Sequence, residues 1–173
     1  MTLQGDYLGM PVTIADLDEE NHSFYSFCGQ GELRLQSCSA CNKLRTPPTT
    51  ACPYCTSEGA TWVILSGKGT VYSYGEVHHA IQSSFRTHTP YSILLVELDE
   101  QKETPGPEDG LRLIGNLANT DGTLASPELV SSIGIGTRVE VVFAPIGDGI
   151  AQPLWRISKT EEQPKSPWRY PIE

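Results

Sequence analysis

Positive charge is scarce in this chain: 12 Lys and Arg stand against 21 Asp and Glu, for a formal charge of −9. Phosphate backbones are bound by clustered cations, so the balance argues against a nucleic-acid partner. No apolar run approaches the roughly 18 residues of a membrane-spanning helix, and no membrane association is expected. The start, Met1-Thr-Leu-Gln-Gly-Asp-Tyr7, has neither the basic region nor the apolar stretch of a secretory signal, so the cytoplasm is the expected location. Catalytic signatures are missing as well. Ser66 lies in Ser-Gly-Lys-Gly rather than in a Gly-x-Ser-x-Gly elbow, and Trp62 stands where a P-loop needs its first glycine. No nucleophile–base constellation is legible, and no activity is expected of the chain alone.

What the sequence does hold is Cys38-Ser-Ala-Cys41 and, ten residues on, Cys52-Pro-Tyr-Cys55. A Cys-x-x-Cys turn brings two thiolates to one ion at about 2.3 Å, and two such turns complete a closed tetrahedron. The link between them carries Pro47-Pro48, which no helix interior accepts, so it is extended. Cys52-Pro-Tyr-Cys55 alone would suit a dithiol redox site, but that needs a preceding hydrophobic strand and a following amphipathic helix, and neither flank supplies one. Disulfides are disfavoured without a secretory signal. One structural zinc on Cys38, Cys41, Cys52 and Cys55 is the preferred reading; rubredoxin-like iron fits the same sulfurs. Either metal would hold structure, because no coordination position stays open. Cys28 lies off the pattern and reads as a buried apolar residue.

Four regions follow in order: an N-terminal segment and helix (1–31), the ribbon (32–60), a barrel (61–157) and a tail (158–173). The first dozen residues read as irregular. Thr13-Ile-Ala-Asp16 reads as a helix start, with Leu17, Phe24, Phe27 and Cys28 on one face and Gly29 and Gly31 ending it. That face either packs on its own domain or docks on a partner, for which Leu17, Phe24 and Phe27 are the candidates. Glu32–Gln36 alternates as a short strand. Thr61–Leu65 and Gly69–Tyr74 read as one bent strand, followed by strands at Tyr91–Leu98, Leu111–Leu117, Thr137–Phe143 and Gln152–Ile157. Ser126 and Pro127 mark a brief helix between the third and fourth. This order predicts a mainly β protein: helix, rubredoxin-like ribbon, then a five-stranded OB-type barrel. Asp99–Gly110 reads as a mobile hairpin tip, and the Pro-rich, charged tail as disordered or as a docking arm. Within Glu76–Pro90, His78, His79, Phe85, Arg86 and His88 form the candidate functional loop. Arg86 is the best phosphate contact there, though loop histidines are more often simply solvated.

Taken as an ordered set, the aromatic helix, the Pro-Pro ribbon, Ser66-Gly-Lys-Gly-Thr-Val-Tyr-Ser73, Pro90-Tyr91, Val96-Glu-Leu98 and Ile133-Gly-Ile-Gly136 closely resemble the acyl-CoA-associated zinc-ribbon/OB-fold family. The resemblance runs from about Phe24 to Ile157. It implies a small, non-catalytic subunit beside a thiolase-superfamily protein, in a hetero-oligomer with two copies of each chain. The partner would carry the catalytic residues, and a bulky aromatic or steroid-like CoA thioester would bind near the shared interface for thiolase- or aldolase-type chemistry. The residues alone leave a second class open, a free-standing zinc-ribbon/OB module for single-stranded nucleic acid, which the charge opposes.

Overall fold

The computed structural model describes residues 2–15, 18–106 and 108–171. Its centre is a five-stranded antiparallel sheet made of β6 (Lys68–Val77), β7 (Tyr91–Leu98), β8 (Arg112–Asn116), β9 (Arg138–Gly147) and β10 (Ile150–Ile157), in the order β10-β9-β6-β7-β8. β6 pairs with β7 over most of its length and with β9 through Lys68–Thr70, so its first residues serve both neighbours. A register shift between Val71 and Ser73 bulges the strand at Tyr72 and adds to its bend. A parallel bridge between Leu117 and Trp155, with Ala118 N donating to Trp155 O at 2.7 Å, closes the β8 side onto β10. The interior fills with Val71, Leu94, Val96, Leu98 and Trp155, none more than 1% exposed. This is the expected OB-type barrel. Its short helix α2 (Pro127–Ser132) begins where expected, with the Ser126 side chain accepting from Leu129 N.

Thr61–Leu65, read from alternation as part of the barrel's first strand, belongs to a different sheet. β5 (Ala60–Ile64) pairs with β3 (Arg34–Cys38), which also pairs with β4 (Leu44–Arg45), giving a three-stranded ribbon sheet β4-β3-β5. The physical reason is Gly67. It sits at φ +71°, and a Cβ there would meet Val141 Cγ1 at 2.4 Å, so the chain turns sharply out of one sheet into the next.

The N-terminus is not irregular either. β1 (Leu3–Tyr7) and β2 (Met10–Ile14) form a hairpin whose two-residue loop, Leu8-Gly9, has positive φ at both positions, as a type I′ turn requires. Asp6 Oδ1 secures it by accepting from Gly9 N at 2.7 Å. Thr13 therefore lies in a strand, and helix α1 (Glu19–Gly29) starts later, capped by Asp18 accepting from Asn21 N. Leu17 lies outside the described residues. The tail also departs from expectation, because it folds back on the barrel. Ile135 and Trp168 exchange backbone hydrogen bonds at 2.8 and 3.1 Å, and Arg169 bonds the carbonyls of Val130 in α2 and of Ile133 just after it, and the carboxylate of Glu76. Asp99–Gln101 is a short 3-10 turn with Gln101 buried, so the connection after β7 is docked at its start.

Candidate functional site: a four-cysteine metal centre and the surfaces around it

Each knuckle is built by the same turn. Cys38 O accepts from Asn42 N at 2.9 Å while Cys38 N donates to Lys43 O, and Cys52 O accepts from Thr56 N at 2.8 Å while Cys52 N donates to Ser57 O. The fifth residue of each turn is left-handed, Asn42 at φ 59° and Thr56 at φ 63°. Asn accepts that conformation readily, whereas β-branched Thr is strained there, so the turn outweighs the local preference. The four sulfurs converge: all lie within 4.8 Å of one another, with Cys38–Cys55 at 3.6 Å and Cys41–Cys52 at 3.7 Å. Tetrahedral zinc with bonds of about 2.3 Å needs sulfur separations near 3.8 Å, so the set fits the ion. Backbone N–H groups of Cys41 and Ala40 hold the Cys38 thiol down at about 6, favouring the ligating thiolate. Cys28 is different. It is 1% exposed in the apolar core, and burial pushes its thiol up to about 12. The chain thus holds one structural zinc site on Cys38, Cys41, Cys52 and Cys55.

Two polar residues that sequence reasoning did not single out order the link between the knuckles. Arg45, 2% exposed, donates through Nε to Gln36 Oε1 and through Nη2 to Thr49 O, both at 2.8 Å, while Gln36 Oε1 also accepts from Thr49 N. Both occupy ribbon strands, Gln36 in β3 and Arg45 in β4, and both are buried.

The candidate docking face is divided. Phe24 is 6% exposed and packs into the barrel-side core with Cys28, so its ring serves the protein's own interior; α1 uses that face against β10. Phe27 is half-buried, 5.3 Å from the Trp62 ring and under the Arg34 guanidinium. The 76–90 loop is divided too. Phe85, expected to meet ligand, is buried between Tyr7 and Tyr91 at ring distances of 5.9 and 5.4 Å and anchors the loop beneath the N-terminal hairpin. His78, His79 and Arg86 remain exposed and His88 half-buried. His78 Nε2 lies 3.3 Å from Glu76, whose other oxygen binds Arg169 of the tail. Ile81, not noticed in the sequence, is 89% exposed at the tip.

With this geometry established, the relatives are informative. Residues 26–60 match the family described as "ChsH2, rubredoxin-like zinc ribbon domain", and residues 62–144 match "ChsH2, C-terminal OB-fold domain". Among solved structures, the chain is similar to one described as "Ltp2-ChsH2(DUF35) aldolase", at 30% identity and a TM-score of 0.64, covering 83% of this chain and 98% of that one. It is 37% identical over 147 residues to a probable enoyl-CoA hydratase alpha subunit of Thermomonospora curvata, covering 85% of this chain and 40% of that protein. A DUF35 domain-containing scaffold protein of Methanocaldococcus jannaschii is 34% identical over 110 residues, 63% of this chain and 65% of that one. The chain therefore spans between two fifths and two thirds of the length of these curated relatives. Ribbon, barrel and relatives agree, and the chain belongs to the ChsH2-type (DUF35) zinc-ribbon/OB-fold family.

Proposed function

We propose that the chain is the non-catalytic, zinc-binding small subunit of a complex that acts on acyl-CoA thioesters, with a thiolase-superfamily protein as its partner and two copies of each chain in the assembly. One observation carries the reading. The same ribbon-and-barrel unit covers nearly all of a chain from an aldolase, two fifths of a hydratase alpha subunit and two thirds of a scaffold protein. Aldol cleavage and hydration make and break different bonds, so a unit common to both supplies something other than the reacting groups. Assembly and handling of the CoA ester are what the two chemistries share. The metal centre is consistent with this role, since four sulfurs leave zinc no position for substrate.

In this reading the 76–90 loop faces the partner. Phe85 and Ala80 fix it to the barrel, so His79, Ile81 and Arg86 are held out at little further cost in ordering. Arg86 makes no ion pair among the described residues, and its planar fork suits a phosphate oxygen of CoA. Because the chain is acidic overall, the partner supplies most of the field that attracts CoA. The test is co-expression with the thiolase-superfamily proteins of the same organism, followed by size-exclusion chromatography. A stable stoichiometric complex that Ile81→Asp weakens supports the reading; a chain that elutes alone beside every one of them defeats it.

A further inference from the structure

We infer that Arg169 is a positioning residue for the 76–90 loop, and that the C-terminal tail is the strap that brings it there. The strap is laid down by backbone contacts. Trp168 and Ile135 exchange hydrogen bonds along the segment between α2 and β9, and the chains run so close that a Cβ on Gly134 would stand 2.6 Å from Trp168 O. Arg169 is thereby held over three acceptors: the carbonyl of Val130 in α2 at 3.2 Å, the carbonyl of Ile133 just after it, and Glu76 Oε1 at 2.5 Å. The two carbonyls lie at a helix end, where a cation satisfies acceptors that lack a donor within the helix. Tyr170 N then donates to the Tyr74 hydroxyl at 3.1 Å.

Tyr74 and Glu76 lie where β6 most needs a brace. β6 pairs with β9 only through Thr70, and Val71 is bonded to Gly136 and Thr137; past that point β7 is its one strand neighbour. The ladder to β7 ends at the Val77–Tyr91 pair, where the loop begins. A ladder end with one neighbour opens readily. The carboxylate of Glu76 carries the contact onward, for its Oε2 lies 3.3 Å from His78 Nε2. Arg169, Glu76 and His78 thus form a chain from the tail into the first residues of the loop, while Phe85 anchors the loop's far half. The Arg169 and Glu76 side chains are half-buried, so salt screens their pair less than it screens a surface pair. The rings of Trp168 and Tyr170 are exposed and meet each other, with centroids 4.9 Å apart. Ring burial therefore adds little at this end of the strap, and the polar contacts of Arg169 hold it.

The inference rests on the proposed function for the loop's use, since a loop ordered beforehand raises affinity for the partner it meets. The ordering itself belongs to the isolated chain. Hydrogen exchange of the zinc-loaded full chain, read by mass spectrometry, tests it. Arg169→Ala should speed exchange over residues 74–92 about tenfold and leave 94–98 of β7 and the ribbon unchanged. Glu76→Gln, which spares the contacts at α2, should do the same. In proton NMR the His78 ring signal, assigned by its loss in His78→Asn, should move in Arg169→Ala, while that of His22 on α1 stays in place. In the complex with the proposed thiolase-superfamily partner, Arg169→Ala should weaken association about tenfold. Unchanged exchange over 74–92, an unmoved His78 signal, or faster exchange spread evenly through the barrel overturns the inference. So does a rise with Arg169→Ala that Glu76→Gln fails to reproduce, or a loosened loop that leaves association undiminished. A chain that forms no complex defeats the proposed function instead, and the exchange and NMR readouts still decide the role of Arg169.

Discussion

The side-chain amide of Gln101 closes two hydrogen bonds on the backbone of Leu44: its Oε1 accepts from Leu44 N at 2.7 Å and its Nε2 donates to Leu44 O at 3.0 Å. Leu44 lies in ribbon strand β4, whose outer edge would otherwise leave both groups without a strand partner. Gln101 lies just past barrel strand β7, so one side chain stands in for a ladder pair and fastens the ribbon to the barrel. Gln101→Ala leaves a buried donor and acceptor unmet, at about 1–3 kcal/mol. The expected outcome is a lower denaturant midpoint and faster zinc loss to a chelator. Chelation kinetics equal to those of the parent would show that this clamp does not hold the ribbon.

Replacing Cys52 with Ser should release the metal and unfold the ribbon, because in a small module of this kind ligation free energy is folding free energy. The barrel, with its own core, should persist as far-ultraviolet β signal. Cys28→Ala should behave oppositely, keeping one zinc per chain while losing about 1–3 kcal/mol of stability from the core. Elemental analysis checks both. Iron in the native protein, or undiminished zinc in the Cys52→Ser variant, would contradict the assignment.

Asp99 and Arg138 form a two-pronged pair, at 2.7 and 2.5 Å, that ties the segment after β7 to β9. The hydrogen bond from Arg138 holds the Asp99 carboxyl below its ordinary range. A carboxyl depressed in the folded state stabilises fully above its unfolded pKa, about 3.9, and that contribution vanishes as pH falls through the lower folded value. Asp99→Asn should therefore melt earlier than the parent at neutral pH, and the gap between them should close below about pH 4. Zinc loss in acid lowers both proteins alike, so the difference in thermal midpoint is the readout. A gap that stays constant down to strong acid would rule the ion pair out as its source.

Much of this was legible because the signals were local and redundant. Four cysteines at two identical spacings, an apolar run over Tyr91–Leu98 broken only by Ser92 and Glu97, and Ser126-Pro127 ahead of a short helix each specify one outcome. Alternation across Thr61–Leu65 announced a strand without saying which sheet would take it; Gly67, a turn residue, decided that. The hairpin at 3–14 escaped because Gly5 and Pro11 interrupt an otherwise regular series of Leu3, Tyr7, Met10, Val12 and Ile14. In the tail, Arg169 bonds backbone carbonyls at the end of α2, a contact that leaves no trace in hydrophobic periodicity. Gln36, Arg45 and Gln101 are buried for the same kind of reason: each satisfies backbone or amide groups brought close only by the fold. For Phe24 the sequence leaves packing on its own domain and docking on a partner both open, and Phe85 reads as a ligand contact; both rings fill the protein's own core.

The central claim, that the chain completes an acyl-CoA enzyme without performing its chemistry, is tested most directly by turnover. The isolated chain, the proposed thiolase-superfamily partner and the reconstituted complex should be assayed with the same CoA thioester. The account predicts no turnover by the chain, little by the partner alone, and full activity by the complex, with Arg86→Ala raising KM while leaving assembly intact. Turnover by the isolated chain, or a partner equally active without it, would contradict the account.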